Sequence, residues 1–442
     1  TENAHREQRR HIRGHFLDKR TRCGGCEKYM REPKEGEEHK NNSPHRVTIE
    51  KTIKMKILHT SDWHLGHVLY NYERTEEQIL MLEQITRIVE EHKPDVFLLC
   101  GDVYHTSQPS SLIQTIFTEA ILNIHKANPQ MQIVITAGNH DSAVKHEIFR
   151  RPWQALNVHA IGGLNKKDLK QHIIEIPNKG FVIALPYFYE RNQSENYYKT
   201  LLDEVKERNE NNLPVILSAH TTIFGCDFSG HETSDEKIVG GIEAINLEDI
   251  ADGYDYFALG HIHKPQFIDK HKQKARYSGT PLPINFEETY PHSITLVDIA
   301  SHNQIPQITT INIENPYPLV TLPSEGFASW EEVKDLLISF PCENPAYLRL
   351  NVEIEDMLPS CANVEVNSIV KDKKCRFCYI NTQRINNQQG EIKQLTISEF
   401  QQERPIDIAS KYFEYSGVNF DEQMKEAFNE VLEIIEKESQ NE

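Results

Sequence analysis

The chain has 442 residues, of which 38% are hydrophobic, and its formal net charge is −18. This length can hold two or three domains, and no apolar run is long enough for a transmembrane helix, so we expect a cytoplasmic protein with no membrane span. The acidic balance argues against a protein that holds DNA tightly by itself, because contacts to phosphate need Lys and Arg. It remains compatible with an enzyme whose metal ions meet the phosphate.

Residues 1–54 differ from the rest, with 14 Lys and Arg against 9 Asp and Glu. They show no helical or strand periodicity, whereas Met55 begins a regular strand pattern. We interpret residues 1–54 as a basic extension that is disordered or non-native. A DNA-binding arm, or a zinc site around Cys23 and Cys26, is the alternative. A second C-x-x-C pair, at 375 and 378, also lacks a matching half-site, so free thiols are expected.

Residues 55–314 alternate strands with helices, which is typical of an α/β domain. Strands are predicted over residues 56–60, 95–100, 132–137, 182–185, 215–219 and 256–259. Helices are predicted over residues 73–93 and 110–127, because apolar residues recur there at helical spacing.

Residues 315–398 have a different pattern, which predicts a small α+β capping domain. Its predicted elements are strands over 319–322, 346–354 and 376–381, a helix over 329–339 and a turn over 386–391. Residues 399–442 are predicted to form a helical tail, with helices over 406–415 and 421–437. The last helix has one apolar stripe, formed by Phe420, Met424, Phe428, Val431, Leu432 and Ile435.

Five short polar segments each follow a predicted apolar strand of the α/β domain. They are D-W-H at 62–64, G-D-V-Y-H at 101–105, G-N-H-D at 138–141, A-H at 219–220 and G-H-I-H at 260–263. Loops at the carboxyl ends of strands can converge at one edge of a sheet. We therefore expect these side chains to surround a single cleft. One such segment alone has little specificity, but the five in this order are highly specific.

Seven of these side chains are potential metal ligands, namely Asp62, His64, Asp102, Asn139, His220, His261 and His263. Seven ligands are too many for one tetrahedral ion. Carboxylate, amide and imidazole groups without a thiolate favour an ion such as Mn²⁺ over structural zinc. With one shared carboxylate, the set fits two ions about 3.5–4 Å apart, which can orient a phosphate and activate water.

The five segments resemble the signature of the calcineurin-like metallophosphoesterase superfamily, which is D-x-H, G-D, G-N-H-[DE], H and G-H-x-H. The sequences at 59–66, 101–105, 234–243, 256–266 and 277–283 are similar to the SbcD family of bacterial DNA-repair nucleases. This resemblance is strong over about residues 55–290 and absent from residues 1–54. It implies a four-layer sandwich, in which two β-sheets are flanked by helices.

The resemblance also implies a role for each site residue. One ion would be held by Asp62, His64, Asp102 and His263, and the second by Asp102, Asn139, His220 and His261. His140 would stabilise the transition state or protonate the leaving oxygen, and His105 would contact the phosphate. Asp141 would orient His140.

The family cuts DNA ends and hairpins with Mn²⁺, as a 3′→5′ exonuclease and as an endonuclease, so the resemblance implies the same activity here. It further implies a homodimer formed through the helices at 73–93 and 110–127, and a tail that docks on an SbcC-type ATPase. The apolar residues of these two helices are Ile79, Leu82, Ile85, Leu112, Ile113, Ile116 and Phe117. Most of them must also pack on the sheet, so the intramolecular core is the favoured interpretation for any single one, and the dimer rests on the resemblance. The sequence contains no G-x-x-x-x-G-K-[ST] loop of its own for ATP.

Other interpretations remain open. A phosphomonoesterase or nucleotide phosphodiesterase acting on small molecules would use the same metal ligands. A catalytically inactive scaffold is disfavoured, because every ligand is present. The basic residues of the segment 264–276 either position the DNA backbone or form a solvated hairpin; they are Lys264, Lys270, Lys272, Lys274 and Arg276.

Overall fold

The computed structural model describes residues 54–188, 196–230, 244–268 and 273–385, together with isolated positions between 406 and 431. The basic extension, the segment 234–243, the turn at 386–391 and most of the helical tail lie outside the described residues. In the part of the chain that is described, no helix is both long and apolar enough to cross a membrane.

The strands follow one another along the chain from Met55 to Arg384. They are β1 (Met55–Thr60), β2 (Val68–Leu69), β3 (Tyr72–Glu73), β4 (Val96–Cys100), β5 (Gln132–Thr136), β6 (Val158–Ile161), β7 (Ile173–Ile176), β8 (Gly180–Leu185), β9 (Val215–His220), β10 (Tyr256–Gly260), β11 (Gln266–Phe267), β12 (Ala275–Tyr277), β13 (Ser293–Ile299), β14 (Gln307–Asn312), β15 (Leu319–Leu322), β16 (Tyr347–Ile354) and β17 (Arg376–Arg384). The helices are α1 (Thr75–His92), α2 (Ser111–Ala127), α3 (Ala143–Gln154), α4 (Tyr197–Arg208), α5 (Trp330–Ser339) and α6 (Ala362–Val370).

Every strand and helix predicted for residues 55–314 is present, and the ends of each agree with the prediction within two residues. Helix α2 begins after Ser110, whose side chain accepts a hydrogen bond from the backbone N–H of Ile113, as an N-cap residue does. Helix α1 ends at His92, the C-cap residue Lys93 has the left-handed conformation, and the following Pro94 cannot continue the helix.

Two six-stranded sheets form the centre of the α/β domain. The first sheet has the order β14-β13-β1-β4-β5-β6, and the second has the order β11-β12-β10-β9-β8-β7. Side chains alternate across β4, because successive residues of a strand point to opposite faces. Phe97 and Leu99 pack with α1 and α2, whereas Val96 and Leu98 pack against the second sheet.

The far face of the second sheet is covered by α4, through Leu201, Leu202 and Val205. The layers are therefore helices, first sheet, second sheet and helix, which confirms the predicted four-layer metallophosphoesterase sandwich. Each of the strands β1, β4, β5, β9 and β10 is buried along nearly its whole length. Their carboxyl ends consequently have rigid positions from which short loops emerge.

A three-stranded parallel sheet, β15-β16-β17, follows the sandwich. It has a core of its own with α5 and α6, which includes Val333, Leu348 and Val366. Cys375 packs into this core, whereas Cys378 packs on the opposite side of the sheet. The two thiols therefore cannot share one metal ion. The domain limits at 314 and 398 stay predictions, because the end of the capping domain lies outside the described residues.

Candidate metal centre

The loops that follow β1, β4, β5, β9 and β10 converge at one edge of the two sheets, and they bring all seven predicted ligands together. Three of the five strands belong to the first sheet, and β9 and β10 belong to the second. Backbone hydrogen bonds connect neighbouring loops, from Asp62 N to Gly101 O and from His64 N to Asp102 O, at 3.0 Å each. The centre thus lies between the sheets, where their strand ends meet.

A fully buried group, which we call the deep cluster, consists of Asp62, His64 and His263. Atom Nε2 of His64 lies 3.0 Å from Nε2 of His263. Two imidazole nitrogens and a carboxylate oxygen that converge in this way suit a divalent cation. Nδ1 of His263 is 3.0 Å from Oε1 of the buried Glu288. A carboxylate behind a histidine ligand fixes its ring orientation and raises its basicity.

A second group, the open cluster, consists of Asp102, Asn139, His220 and His261. The ligand atoms of Asp102, His220 and His261 lie within 4.8 Å of one another. Oδ1 of Asn139 is 3.0 Å from both Nε2 of His220 and Nδ1 of His261. Asn139 is exposed and His261 is half-buried. Asp102 and His220 are buried, so the open cluster faces solvent only through Asn139 and His261.

Asp102 stands between the two clusters. Its Oδ2 lies 3.3 Å from Nε2 of His220 in the open cluster and 3.9 Å from Nε2 of His64 in the deep cluster. Its Oδ1 accepts the backbone N–H of His140 at 2.9 Å. This position between the clusters is compatible with the bridging role that the family resemblance implies for Asp102. The donor set therefore fits two divalent ions.

Burial and mutual attraction set the protonation of these groups. Burial raises the pKa of Asp62 to about 6, and burial together with the nearby His263 lowers the pKa of His64 well below its usual range. Burial alone would raise the pKa of Asp102, but attraction to His220 holds it below the usual range. Burial opposes the charge of His220, yet Asp102 raises the pKa of this imidazole to about 9.

The backbone at the ligands adopts unusual conformations. Asp62, His64, Asp102 and His261 all have positive φ, between 43° and 100°, which costs energy in residues other than glycine. Close packing explains two motif glycines. A Cβ at Gly101 would lie 2.1 Å from Nδ1 of His220, and a Cβ at Gly138 would lie 2.0 Å from Oδ1 of Asp102. Glycine at these positions lets the ligand side chains approach the neighbouring backbone.

The two predicted catalytic histidines lie beside the deep cluster. The rings of His105 and His140 are stacked, with centroids 5.8 Å apart, and the ring of His140 is 5.0 Å from that of His64. Nδ1 of His140 bonds to the carbonyl oxygen of His105 at 2.9 Å.

Asp141 makes contacts that differ from its predicted role. Its carboxylate accepts the backbone N–H groups of Val103, Tyr104 and Gly138, at 2.9–3.1 Å. The carbonyl oxygen of His105, described above, orients His140. Asp141 therefore binds the loops after β4 and β5 to each other.

Reasoning from the sequence missed Glu288. This residue follows no recognised motif, and its partner His263 is 25 positions earlier in the chain. The nearest signal is the resemblance at 277–283, which ends five residues before it. Backbone support for His220 was also unpredictable, because its Nδ1 bonds to the carbonyl oxygen of Cys100 at 2.8 Å.

The described residues of the basic segment 264–276 do not form a line of free cations. Arg276 is only 6% exposed and lies between the sheets, where it bonds to Thr295. Lys264 forms an ion pair with Asp227. Arg276 therefore fits neither of the two predictions for this segment, DNA contact or a solvated hairpin, because its charge faces the protein interior. Lys270 and Lys272 lie outside the described residues.

Comparison with known proteins agrees with this geometry. The family model for calcineurin-like phosphoesterases matches residues 55–265. The SbcD component of the nuclease SbcCD from Rhodobacter capsulatus is 32% identical over 307 residues, which cover 63% of this chain and 74% of that protein. The Bacillus subtilis SbcD is 27% identical over 414 residues, with 87% and 99% covered, and the Escherichia coli K12 SbcD is 25% identical over 350 residues, with 69% and 79% covered. This chain therefore belongs to the SbcD family of calcineurin-like phosphoesterases.

Proposed function

We propose that this protein is a Mn²⁺-dependent DNA nuclease, which acts as a 3′→5′ exonuclease on double-stranded ends and as an endonuclease on hairpins and single strands. The observation that carries the proposal is the pair of ligand clusters that share Asp102. A pair of divalent ions bound there would supply Lewis-acid activation of the phosphate and lower the pKa of water. The mixture of carboxylate, amide and imidazole ligands without a thiolate favours Mn²⁺ over a structural zinc ion.

His140 and His105 carry the proposed chemistry of the chain itself. Nδ1 of His140 donates to the carbonyl oxygen of His105, so the imidazolium form, in which Nε2 is protonated as well, can donate a proton to the leaving 3′ oxygen or stabilise the charged phosphate. His105, stacked beside it, contacts a non-bridging phosphate oxygen. Asp141 keeps both loops in place through three backbone amides. Rigid support of this kind places the reacting groups before the substrate arrives.

We further propose that the chain acts with an SbcC-type ATPase in DNA break processing. Its curated relatives are components of the two-part nuclease SbcCD. The apolar stripe of the tail would dock on the ATPase as a helix in a groove. Loss of co-purification with the ATPase after removal of residues 399–442 would support this assignment, and unimpaired complex formation would contradict it.

A homodimer through α1 and α2 is also proposed. Leu82, Ile85, Ile113, Ile116 and Phe117 pack in the core of the first sheet, so these five do not form the interface. Ile79 and Leu112 remain 38% and 59% exposed. Burial of such side chains would favour association. Light scattering should therefore find a monomer for Leu112→Glu, and a dimer of unchanged stability would contradict the proposal.

The nuclease assignment is tested with two substrates, a DNA hairpin and the chromogenic diester bis(p-nitrophenyl) phosphate. We expect the wild type to cut the hairpin with Mn²⁺ and to lose this activity with a chelator. His140→Ala should lower turnover by about 10²–10⁴-fold, the usual contribution of a general acid. Calorimetry should still find two bound Mn²⁺ ions, because the proposal assigns His140 to neither ion.

The matched control is His92→Ala, at the end of α1, which should cut DNA like the wild type. Hydrolysis of the small diester without any cleavage of DNA would instead favour the alternative, a phosphodiesterase for small molecules. Normal DNA cleavage by His140→Ala would contradict the role of this histidine.

A further inference from the structure

The capping domain meets the sandwich through a buried charged network centred on Glu77, in the first turn of α1. Its carboxylate accepts hydrogen bonds from the Tyr347 hydroxyl and, at 2.9 Å, from Nη1 of Arg376, both in the capping domain. On the sandwich side, Nε of Arg74 donates to Glu77 at 2.8 Å. Arg74 and Glu77 are only 2% and 1% exposed. One carboxylate therefore joins the two domains.

Arg74 extends this network towards the metal centre. Its Nη1 lies 3.4 Å from Nδ1 of His67 and also donates to the carbonyl oxygen of Pro283. The ring of His67 stands edge-on against the ring of His105, with centroids 4.7 Å apart. A continuous path of contacts thus runs from the capping domain through Glu77, Arg74 and His67 to His105.

A buried ionic network of this kind contributes little net free energy to the stability of the fold. Arg74 and Glu77 lose water when they are buried, whereas Arg376 stays partly exposed, and apolar residues of similar volume often stabilise a protein as well. Buried ionic groups can instead fix one geometry, because their hydrogen bonds depend on direction. Both guanidinium groups also lie over the ring of Tyr347, at 5.7 and 5.2 Å, which restricts them further.

We propose that Arg74 is a positioning residue for His105. Glu77 holds Arg74, and Arg74 fixes the orientation of the His67 imidazole. The ring of His105 packs against the ring of His67. Tyr347 and Arg376 of the capping domain hold Glu77 in turn. The position of His105 therefore depends on how the capping domain packs against the sandwich. This inference rests on the proposed function, because it takes His105 to be the residue that contacts the phosphate.

The test uses full-length variants with Mn²⁺, assayed on the DNA hairpin and on bis(p-nitrophenyl) phosphate. Arg74→Lys keeps the charge beside Glu77 but lacks the planar fork that reaches two partners. We expect its kcat to fall about tenfold with KM changed less than about twofold, as for a misplaced catalytic group. Tyr347→Phe should lower kcat about threefold, because Glu77 retains its other partners.

The matched control is Tyr72→Phe. The Tyr72 hydroxyl also bonds across the same interface, to the carbonyl oxygen of Phe377 at 3.0 Å, but it does not touch Glu77, Arg74 or His67 through that bond. Its removal should leave kcat and KM unchanged. A loss of kcat equal to that of Arg74→Lys would overturn the proposal, because it would assign the effect to the interface in general.

A double-mutant cycle separates positioning from a merely structural role. If Arg74 acts through His105, Arg74→Lys should cause no further loss of kcat in a His105→Ala background. Losses that multiply would overturn the proposal, as would full activity in His105→Ala alone. Hydrolysis of the small diester without DNA cleavage would contradict the proposed DNA nuclease function. The kcat values of the double-mutant cycle could still be measured with that diester, so the two proposals can fail independently.

A readout without turnover comes from ¹⁵N-histidine NMR spectra of the same variants. Arg74→Lys should move the ring signals of His67 and His105, assigned with His67→Gln and His105→Gln, and Tyr72→Phe should not. Unmoved His105 signals in a folded Arg74→Lys protein would overturn the inference whichever substrate the enzyme prefers.

Discussion

The deep and open clusters use similar ligands but stand in different surroundings. In the deep cluster every ligand is buried, and His263 is backed by the carboxylate of Glu288. In the open cluster Asn139 is exposed, and His220 is backed by a neutral backbone carbonyl. A carboxylate behind a ligating histidine raises its basicity. We therefore expect the deep cluster to hold its ion more firmly than the open cluster does.

Asp102→Asn should have the largest effect, because this residue is shared by both clusters. Loss of its charge should prevent the paired site from forming. Turnover should fall by about two orders of magnitude or more, since metal activation of a phosphate contributes several kcal/mol. Calorimetric titration with Mn²⁺ should show both binding steps weakened. Weakening of only one step would contradict the bridging position.

Glu288→Gln tests the deep cluster alone. The amide keeps the shape of the side chain but removes the charge behind His263, so the affinity of the firmly bound ion should fall about 10–100-fold. The weaker binding step should stay unchanged. Glu287→Gln is the matched control, because the neighbouring carboxylate of Glu287 pairs with Arg349 of the capping domain. Equal effects of the two variants would show that Glu288 acts only through local folding.

Proton release should differ between the clusters. Because the pKa of His220 is raised to about 9, its imidazole is protonated at pH 7 and must lose that proton before it can bind metal. The affinity of the open cluster should therefore rise by up to about tenfold between pH 7 and 8, and level off above the pKa. In the deep cluster, Asp62 has a pKa of about 6 and His64 a lowered one, so both are already deprotonated at pH 7.

Calorimetry in buffers of different ionisation enthalpy measures these protons directly. One proton should be released with the weaker binding step at pH 7, and little with the tighter step from Asp62 or His64. Proton release confined to the tighter step would reverse the assignment of the two clusters.

Asn139→Ala should have the smallest effect. A neutral amide oxygen at an exposed position can be replaced by water, so the weaker step should lose only about threefold to fivefold in affinity, below the range for the partner of a buried ligand. The tighter step should not change. A loss as large as that in Glu288→Gln would remove the distinction between the clusters.

Much of the fold was predictable because its signals are local. Each ligand-bearing strand is a short apolar run followed at once by polar motif residues, and the structure places all seven ligands at the same edge. Helix α6 was not predicted, because its sequence is rich in Val and Asn, which are weak helix formers. It is helical because Ala362 and Val366 pack into the capping core, a contact that no local pattern shows.

The sequence by itself determined the ligand types, their order and the strands that carry them, because these depend on neighbouring residues and on the two-residue period of a strand. Only the tertiary structure decided which ligands are deep, that Glu288 stands behind His263, that Asp141 binds backbone amides, and that Glu77 joins the capping domain to the sandwich. These contacts join residues up to 299 positions apart. Burial and long-range contacts are properties of the packed chain, so the sequence of a single segment does not specify them.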